Sequence, residues 1–254
     1  MLQIDASTGG LIGDALCHVP YMDFLCRKHN SKALVFGLNP LVAAMLAPSY
    51  RFEFGPLRSD QPIIRLSIND AFGYVNQCHM AQAFFKQHNA PLPPMPMTLD
   101  LMAELCGLPP GLVVAPYSRS NSPDNNKFWP HERWLEVISA LRKERLVDRV
   151  YVVGASGPDN PAPYLAAGVE PVFDRPLAQV LHLMRQAPLF MSVEGGLSHL
   201  AHYGGVRRHV MLYPGCLPQT WARNPYAVLV TAKMPINVQV CDMAAGARQV
   251  LKAR

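Results

Sequence analysis

Short apolar runs alternate with amphipathic stretches along the chain, and the runs carry few charges, as strands buried on both faces of a parallel sheet do. The first part predicts strands at MLQIDAS, KALVFGL, YRFEF and PIIRLSI, and helices at DALCHVPYMDFLCRKH and LVAAMLA. The rest predicts strands at GLVVAPYS, RVYVVGA, APLFMSV and HVMLYPG, and helices at PHERWLEVISALRKE, PLAQVLHLMRQ, GLSHLAHYGG and DMAAGARQVLKA. This alternation predicts an α/β fold with two Rossmann-like, doubly wound domains facing a central cleft.

Prolines mark the expected division of the chain. The densest group is APLPPMPM at 90–97, and Pro109-Pro110 follows shortly afterwards. Because prolines at this density exclude regular helix and central strand, we expect a semi-rigid linker around a short helix, DLMAELCG. The predicted units are an N-terminal domain at 1–106, a C-terminal domain at 107–240 and a closing helix at 241–254.

Composition narrows the possible partners of this 254-residue chain. The formal net charge of +5 suits a phosphate-bearing ligand, but dispersed basic residues are also typical of an ordinary solvated surface. No basic stripe alternates with aromatic residues, so nucleic acid is not expected as a partner. The sequence has no apolar run of membrane-spanning length and no signal-peptide pattern, which predicts a cytoplasmic protein. The six scattered cysteines form no C-x-x-C pair, so no metal site is expected.

The first candidate site is the segment TGGLIGDALCHVP, which leads from a strand into a helix. Its glycines let the backbone turn, and Asp14 follows near the carboxyl edge of the strand, where open α/β sheets bind ligands. Asp14 is compatible with two roles: a general base that faces the cleft, or a side-chain cap of the helix. The glycine spacing does not match the dinucleotide fingerprint G-x-G-x-x-G.

The second candidate is APYSRSNSPDNNKFWPHERW, again a strand, a polar loop and a helix. Ser118 and Arg119 leave the carboxyl end of the strand, and Lys127 stands just before the helix. Hydroxyls, loop amides and a cation that converge at a helix N-terminus form a diphosphate site. The alternative is that Lys127 is a solvated surface lysine and Trp129 a core residue.

The third candidate is LFMSVEGGLSHLAHYGG, in which a buried strand runs directly into Glu194-Gly195-Gly196. The glycines would let a phosphate approach the amides of the following helix, whose dipole favours negative charge. Glu194 could accept hydrogen bonds from sugar hydroxyls, and His199 could donate one to a phosphate oxygen. Alternatively, Glu194 or Ser198 caps the helix and His199 is a buried structural histidine.

Taken in order, these segments resemble the ADP-heptose:lipopolysaccharide heptosyltransferases of glycosyltransferase family 9, which have the GT-B fold. GLIGDALCHVPYMDFLCRKH is similar to the family's opening segment, NKFWPHERWLEVISAL to its K-x-W-P helix start, and SVEGGLSHLAHYGG to its donor-binding segment. YPGCLPQTW and DMAAGARQVL resemble the two stretches that follow. The resemblance extends over nearly the whole chain and is tight in these patches.

The resemblance implies an enzyme that transfers a heptose or hexose from a nucleoside-diphosphate sugar to an acceptor hydroxyl, with inversion and without metal or cofactor. It implies Asp14 as the general base, Lys127 at the donor phosphates, and the segment from Glu194 to His199 as the donor-binding loop. The acceptor would be a glycan, a glycolipid or a protein, and a glycolipid would bring the enzyme to a membrane surface. Two alternatives stay open: a nucleotide-sugar isomerase with a GT-B-like fold, and a non-catalytic protein that binds nucleotide sugars or glycans.

Overall fold

The computed structural model describes residues 1–8, 10–46, 50–118, 127–215 and 221–253. Its first sheet has four parallel strands: β1 (Leu2–Asp5), β2 (Ala33–Phe36), β3 (Phe52–Phe54) and β4 (Ile63–Arg65). The helices of this half are α1 (Ile12–Lys28), α2 (Pro40–Leu46), α3 (Ile68–Ala71) and α4 (Met80–Gln87), with a 3-10 turn at Phe72–Tyr74.

The second sheet has six parallel strands. They are β5 (Leu112–Ala115), β6 (Val150–Gly154), β7 (Glu170–Phe173), β8 (Phe190–Val193), β9 (His209–Pro214) and β10 (Ala227–Ala232). Its helices are α5 (His131–Lys143), α6 (Ala162–Ala166), α7 (Leu177–Gln186), α8 (Gly196–Tyr203) and α9 (Val240–Lys252), with a 3-10 turn at Pro235–Asn237.

Both sheets are doubly wound. The strand orders are β3-β2-β1-β4 and β10-β9-β8-β5-β6-β7, so the first strand of each sheet lies between the second and the fourth of that sheet. The order reverses between β1 and β4 and between β5 and β8, and ligands of such sheets bind outside the carboxyl ends of the strands at these points. The predicted fold class, two doubly wound α/β units, is confirmed.

The two halves share one apolar core. A single cluster of buried side chains includes Ile4 and Leu16 from the first half and Leu181, Leu200 and Tyr203 from the second. A separate cluster fills the space between the other face of the second sheet and the helices α5 and α9. Because α1 packs directly on α8, the carboxyl ends of β1 and β8 lead into the same junction.

The predicted short helix DLMAELCG does not form, since residues 100–107 have no regular secondary structure. The backbone here bonds to the second half instead: Leu99 N donates to Tyr203 O (2.8 Å), and Glu104 N donates to Ala178 O (3.2 Å). These long-range bonds take the place of local helical ones. The boundary at residue 107 stays a prediction, because the sheets are separated by all of residues 66–111.

Candidate functional site

The site lies where the N-termini of α1 and α8 touch. A methyl group built on Gly196 would lie 2.9 Å from Cβ of Ile12, and one built on Gly13 would lie 2.7 Å from Cδ2 of His199. Both distances are shorter than side-chain carbons tolerate, so each half presents a glycine to a side chain of the other. This close approach brings the loop after β1 and the loop after β8 together.

Glu194 is the central charge of the site. It follows β8 directly, its backbone N–H donates to Leu212 O (3.0 Å), and its side chain is 4% exposed. Oε2 lies 2.6 Å from Nζ of Lys127, and Oε1 lies 3.4 Å from Nε2 of His199. Burial alone would raise the pKa of Glu194, but His199 and Lys127 hold this pKa below its ordinary value. Glu194 is therefore an ionised, buried carboxylate with a cationic partner at each oxygen.

His199, in the first turn of α8, is held on both ring nitrogens. Nε2 faces Glu194, and Nδ1 lies 3.7 Å from Sγ of Cys17 on α1. Burial alone would lower the pKa of His199, but the Cys17 sulfur and the Glu194 carboxylate raise it above the ordinary value. His199 is thus a buried histidine, which was one of the two alternatives for this residue, and it also contacts the charged pair of Glu194 and Lys127.

Lys127 is not a solvated surface lysine, because its ammonium group contacts a buried carboxylate and its side chain is only 26% exposed. The backbone is fixed two residues later by Trp129, which is buried, donates from Nε1 to Val238 O (3.1 Å) and packs edge-on against Trp134. Trp129 is therefore the core residue that the alternative expected. It anchors the start of α5 and so determines where Lys127 stands.

Asp14 does not cap α1, because it lies inside the helix at the third position and Leu11 is the N-cap residue. Its side chain is half-buried. Burial raises the pKa of Asp14; His199 and Lys127 lower it, Glu194 raises it, and the net change is upward. Since all three of these groups belong to the second half, the Asp14 carboxyl is coupled to them across the junction.

The carboxyl ends of β5 and β8 meet at Ser118 and Gly195. Gly195 has extended backbone (φ 165°), and a methyl group on it would make an ordinary contact of 3.5 Å with Oγ of Ser118. Ser198 shapes this loop: its hydroxyl donates to Gly195 O (2.7 Å) and accepts from Gly195 N (3.0 Å). A role of Ser118 or Ser198 in donor binding stays a prediction, and Arg119 lies outside the described residues.

The backbone amides at the start of α8 differ from each other. Because the N–H of Gly195 is bonded to Ser198, it does not point freely at a ligand. The next two amides, of Gly196 and Leu197, occupy the first turn of α8, where no intrahelical acceptor exists. The N–H groups of Gly196 and Leu197 lie at the positive end of α8, where helices bind anions.

A shallow cavity of about 360 Å³ runs along β7, beside the carboxyl ends of β6 and β7. Ser156, Phe173 and Asp174 are among its lining residues, and the Ser156 N–H donates to Oδ1 of Asp174 (2.9 Å). The segment GASGPD that contains Ser156 is a turn, closed by a bond from Ala155 N to Asp159 Oδ2 (2.8 Å). The turn thus forms one wall of this cavity. The cavity lies at β7, which is two strands away from β5, where the strand order of the sheet reverses.

Two residues of the site were missed by sequence reasoning. Cys17 contacts His199, and the hydroxyl of Tyr203 donates to the Cys17 sulfur (3.4 Å). Helical spacing carried a signal for both, because Cys17 is three residues after Asp14 and Tyr203 is four residues after His199. Residues at these spacings share a helix face.

The described part of the chain contains no group of three or more His, Cys, Asp and Glu side chains that could hold a metal ion. Within the same part, no helix is long and apolar enough to cross a membrane.

The arrangement combines two chemical capacities. On the second half, next to the positive end of α8, a buried anion lies between two cations and contacts both. A carboxyl group with a raised pKa stands opposite them on α1. Fixed cations and amides stabilise a developing negative charge, and a carboxylate of raised pKa accepts a proton more readily at neutral pH.

Two doubly wound sheets that meet at their carboxyl ends define a GT-B-like fold, the fold of a large class of glycosyltransferases. Neither a protein-family model nor a curated protein sequence matches the chain. Several solved structures do match the chain. The iron-containing dodecameric heptosyltransferase TibC, in complex with ADP-D-β-D-heptose, has a TM-score of 0.71 at 19% identity, and the match covers 98% of this chain and 76% of TibC.

Two further structures of the same fold are similar over their full length. A glycosyl transferase of family 9 from Veillonella parvula has a TM-score of 0.72 at 12% identity, with 98% of this chain and 97% of that chain covered. The heptosyltransferase WaaC of E. coli, solved with ADP, has a TM-score of 0.65 at 14% identity, and the match covers 98% of this chain and 100% of WaaC. The chain therefore has the fold of the heptosyltransferases.

Proposed function

We propose that the protein is a glycosyltransferase that moves a heptose or hexose from a nucleoside-diphosphate sugar to an acceptor hydroxyl. The observation that carries this proposal is the pairing of Lys127, Glu194 and His199 on the second half with Asp14 on the first. A transferase needs a cationic site for the leaving diphosphate and a base for the acceptor within reach of one anomeric carbon. Asp14 interacts electrostatically with both cations across one junction, which supports this arrangement.

The reaction is a single displacement. The acceptor oxygen attacks the anomeric carbon while its proton passes to the Asp14 carboxylate, and the bond from that carbon to the diphosphate oxygen breaks. The electron pair leaves with the diphosphate, whose charge meets Lys127 and the amides of Gly196 and Leu197. One displacement inverts the anomeric centre, and no metal ion or cofactor takes part.

The donor is assigned to the second half and the acceptor to the first. The TibC structure contains ADP-D-β-D-heptose and the WaaC structure contains ADP, which supports an adenine nucleotide as the carrier of the donor sugar. The cavity beside Ser156 and Asp174 accommodates the nucleoside in this proposal, because nucleotides extend along the carboxyl ends of such strands. The acceptor is a glycan, glycolipid or protein, and a glycolipid would bring the enzyme to a cytoplasmic membrane surface.

The decisive experiment is a thermal-shift screen of nucleoside diphosphates and nucleotide sugars, followed by an assay of the best binders for hydrolysis and transfer. A ligand that binds only the folded state raises the melting temperature by mass action. We expect ADP and ADP-sugars to bind, and slow release of free sugar without acceptor. Conversion of the donor into an epimer would identify an isomerase, and binding without turnover would identify a binding protein. If no nucleotide binds, the proposal is wrong.

A further inference from the structure

A row of polar contacts crosses the junction between the two halves. It runs from Glu194 to His199 (3.4 Å), from His199 to Cys17 (3.7 Å) and from Cys17 to Tyr203 (3.4 Å). Cys17 is fully buried and is the member of this row that belongs to the first half. The sulfur therefore connects the helix that carries Asp14 to the carboxylate that holds Lys127.

We propose that Cys17 is a positioning residue, which holds Nδ1 of His199 so that Nε2 stays on one oxygen of Glu194 and leaves the other to Lys127. A protonated imidazole donates from both ring nitrogens, so a ring that has a partner at only one of them can rotate and holds its second proton less tightly. The contact between Cys17 and His199 stands on its own, whereas its importance for donor binding rests on the proposed function.

The simpler explanation is that Cys17 only fills space, and the chain supplies a matched control for it. Cys26 lies on the same helix, is 1% exposed, and places its sulfur 3.9 Å from the backbone oxygen of Arg51. Cys26 is thus also a buried thiol of α1 with one weak polar contact, but it does not touch the site. Truncation of either residue removes the same buried thiol, but only that of Cys17 removes a partner of His199 and the acceptor of the Tyr203 hydroxyl.

The charge state of His199 depends on groups from every element around it. These groups are Asp14 and Cys17 on α1, Glu194 after β8, Lys127 before α5, His79 at the start of α4, and His202 on α8. His79 and His202 are buried with lowered pKa values, so they are neutral at the pH of the experiment. Cys17 and Glu194 are the groups that raise the pKa of the ring.

The first test measures the His199 ring directly, without any ligand. Histidine-labelled protein is titrated by NMR, the His199 signal is assigned by its loss in His199→Gln, and wild type is compared with Cys17→Ala and Cys26→Ala. We expect the ring of Cys17→Ala to lose its proton about one pH unit or more below that of wild type. Cys26→Ala should titrate like wild type. An unchanged titration in folded Cys17→Ala would overturn the proposal.

Cys17→Ser keeps the test decisive if Cys17→Ala does not fold. Its hydroxyl can still bond to Nδ1 but stands slightly farther from the ring, so we expect a titration between those of wild type and Cys17→Ala. Circular dichroism and the melting temperature verify folding of each variant. If the His199 ring of Cys17→Ser loses its proton at the same pH as in wild type, or at a higher pH, the sulfur does not position the ring and the proposal fails.

The second test uses ADP as the probe and separates this proposal from the proposed function. At a pH midway between the NMR midpoints of the His199 ring in wild type and in Cys17→Ala, we expect Cys17→Ala to bind ADP at least about threefold more weakly than Cys26→Ala, because the ring has lost its proton mainly in Cys17→Ala. At about pH 6, where the ring is protonated in both variants, the two should bind ADP nearly alike. An equal loss at both pH values would mean that Cys17 only fills space. If wild type does not bind ADP at all, the proposed function fails, while the NMR titration still decides the role of Cys17.

Discussion

Gly13 and His199 touch across the junction, so closely that a single methyl group on Gly13 would lie 2.7 Å from the imidazole ring. Gly13 is the buried second residue of α1, and glycine has a lower helix propensity than alanine, by about 1 kcal/mol in a helix interior. The close approach explains why the chain has glycine there. It also means that the conformation of His199 depends on a residue of the other half.

Gly13→Ala should therefore displace His199 from Glu194 and weaken nucleotide binding about tenfold or more, although alanine favours the helix. Calorimetric titration with ADP measures the loss. Gly10→Ala is the matched control, because a methyl group on Gly10 meets no atom within 4 Å. If both variants bind ADP like wild type, the ring does not need its position at the junction.

Gly195 and Gly196 should respond differently to alanine. A methyl group on Gly196 would meet Cβ of Ile12 at 2.9 Å, whereas one on Gly195 would make an ordinary contact with Ser118. We expect Gly196→Ala to lower the melting temperature by separating α8 from α1. Gly195→Ala should keep the melting temperature and weaken ADP binding, because it narrows the space beside Ser118. The opposite pattern in a thermal-shift and binding series would contradict this assignment.

Asp14→Asn should leave ADP binding intact and lower turnover by a factor on the order of 100 to 10,000. Since burial raises the pKa of Asp14, the rate of the wild type should fall on the acid side at a higher pH than for an ordinary aspartate. Asp23→Asn serves as the control, because Asp23 is a partly buried aspartate of the same helix, paired with Arg27 at 2.8 Å. Turnover of Asp14→Asn close to that of Asp23→Asn would exclude Asp14 as the base.

Lys127→Ala should weaken the binding of ADP more than that of adenosine, because the lysine is assigned to the diphosphate. The loss of transition-state stabilisation should be about 2–4 kcal/mol, measured as kcat/KM. Lys143→Ala, at the exposed far end of α5, removes the same charge away from the site. An equal loss of ADP and adenosine affinity in Lys127→Ala would falsify a role at the phosphates.

Mild acid should destabilise the protein through its buried neutral histidines. Burial lowers the pKa of His18 to about 4 from 6.5, and it also lowers the pKa values of His79, His202 and His209. As the pH falls below 6.5, these histidines become protonated in the unfolded chain but stay neutral in the folded one. The free energy of unfolding therefore decreases between pH 6.5 and the lower pKa that each histidine has in the folded state. The contribution of His199 to stability has the opposite sign, because the pKa of His199 is raised in the folded state. This contribution is fully present below pH 6.5 and is lost as the pH rises through the raised pKa of His199.

His18 allows this to be tested at one site. Its ring lies 4.5 Å from that of Phe84, and neither ring nitrogen has a hydrogen-bond partner among the residues that the structure describes. His18→Leu should reduce the loss of unfolding free energy on acidification, by up to about 1.4 kcal/mol per pH unit below pH 6.5. Urea unfolding at about pH 7 and about pH 5 measures it. An identical pH dependence in both proteins would show that His18 does not contribute.

Much of the fold could be predicted because buried parallel strands have an apolar pattern that depends on the local sequence alone. The missed strands β7 and β10 lie at the two edges of the second sheet, where burial is partial and the apolar signal is weaker. β7 also contains Pro171, which argues against a strand. Helix α4 was missed as well, although His79 and Gln82 form its capping box.

The candidate residues could be found for a related reason. A polar residue that directly follows a strand lies at the carboxyl edge of the sheet, and this position depends on the local sequence and not on the fold of the rest of the chain. Contacts across the junction could not be found in this way. The contact of Cys17 with His199 joins residues 182 positions apart and depends on how α1 packs on α8. The same holds for Ile12 and Gly196, whose proximity gives a packing reason for glycine at position 196 that the sequence does not show.

The bonds from Leu99 to Tyr203 and from Glu104 to Ala178 have a consequence for engineering the molecule. A fragment of the second half that began at residue 107 would lose the backbone that bonds to α7 and α8, and the buried side chains of the shared core would face water. We therefore expect such a fragment to aggregate, and a chimera with a related enzyme to need residues 98–108 from the same parent as the second half.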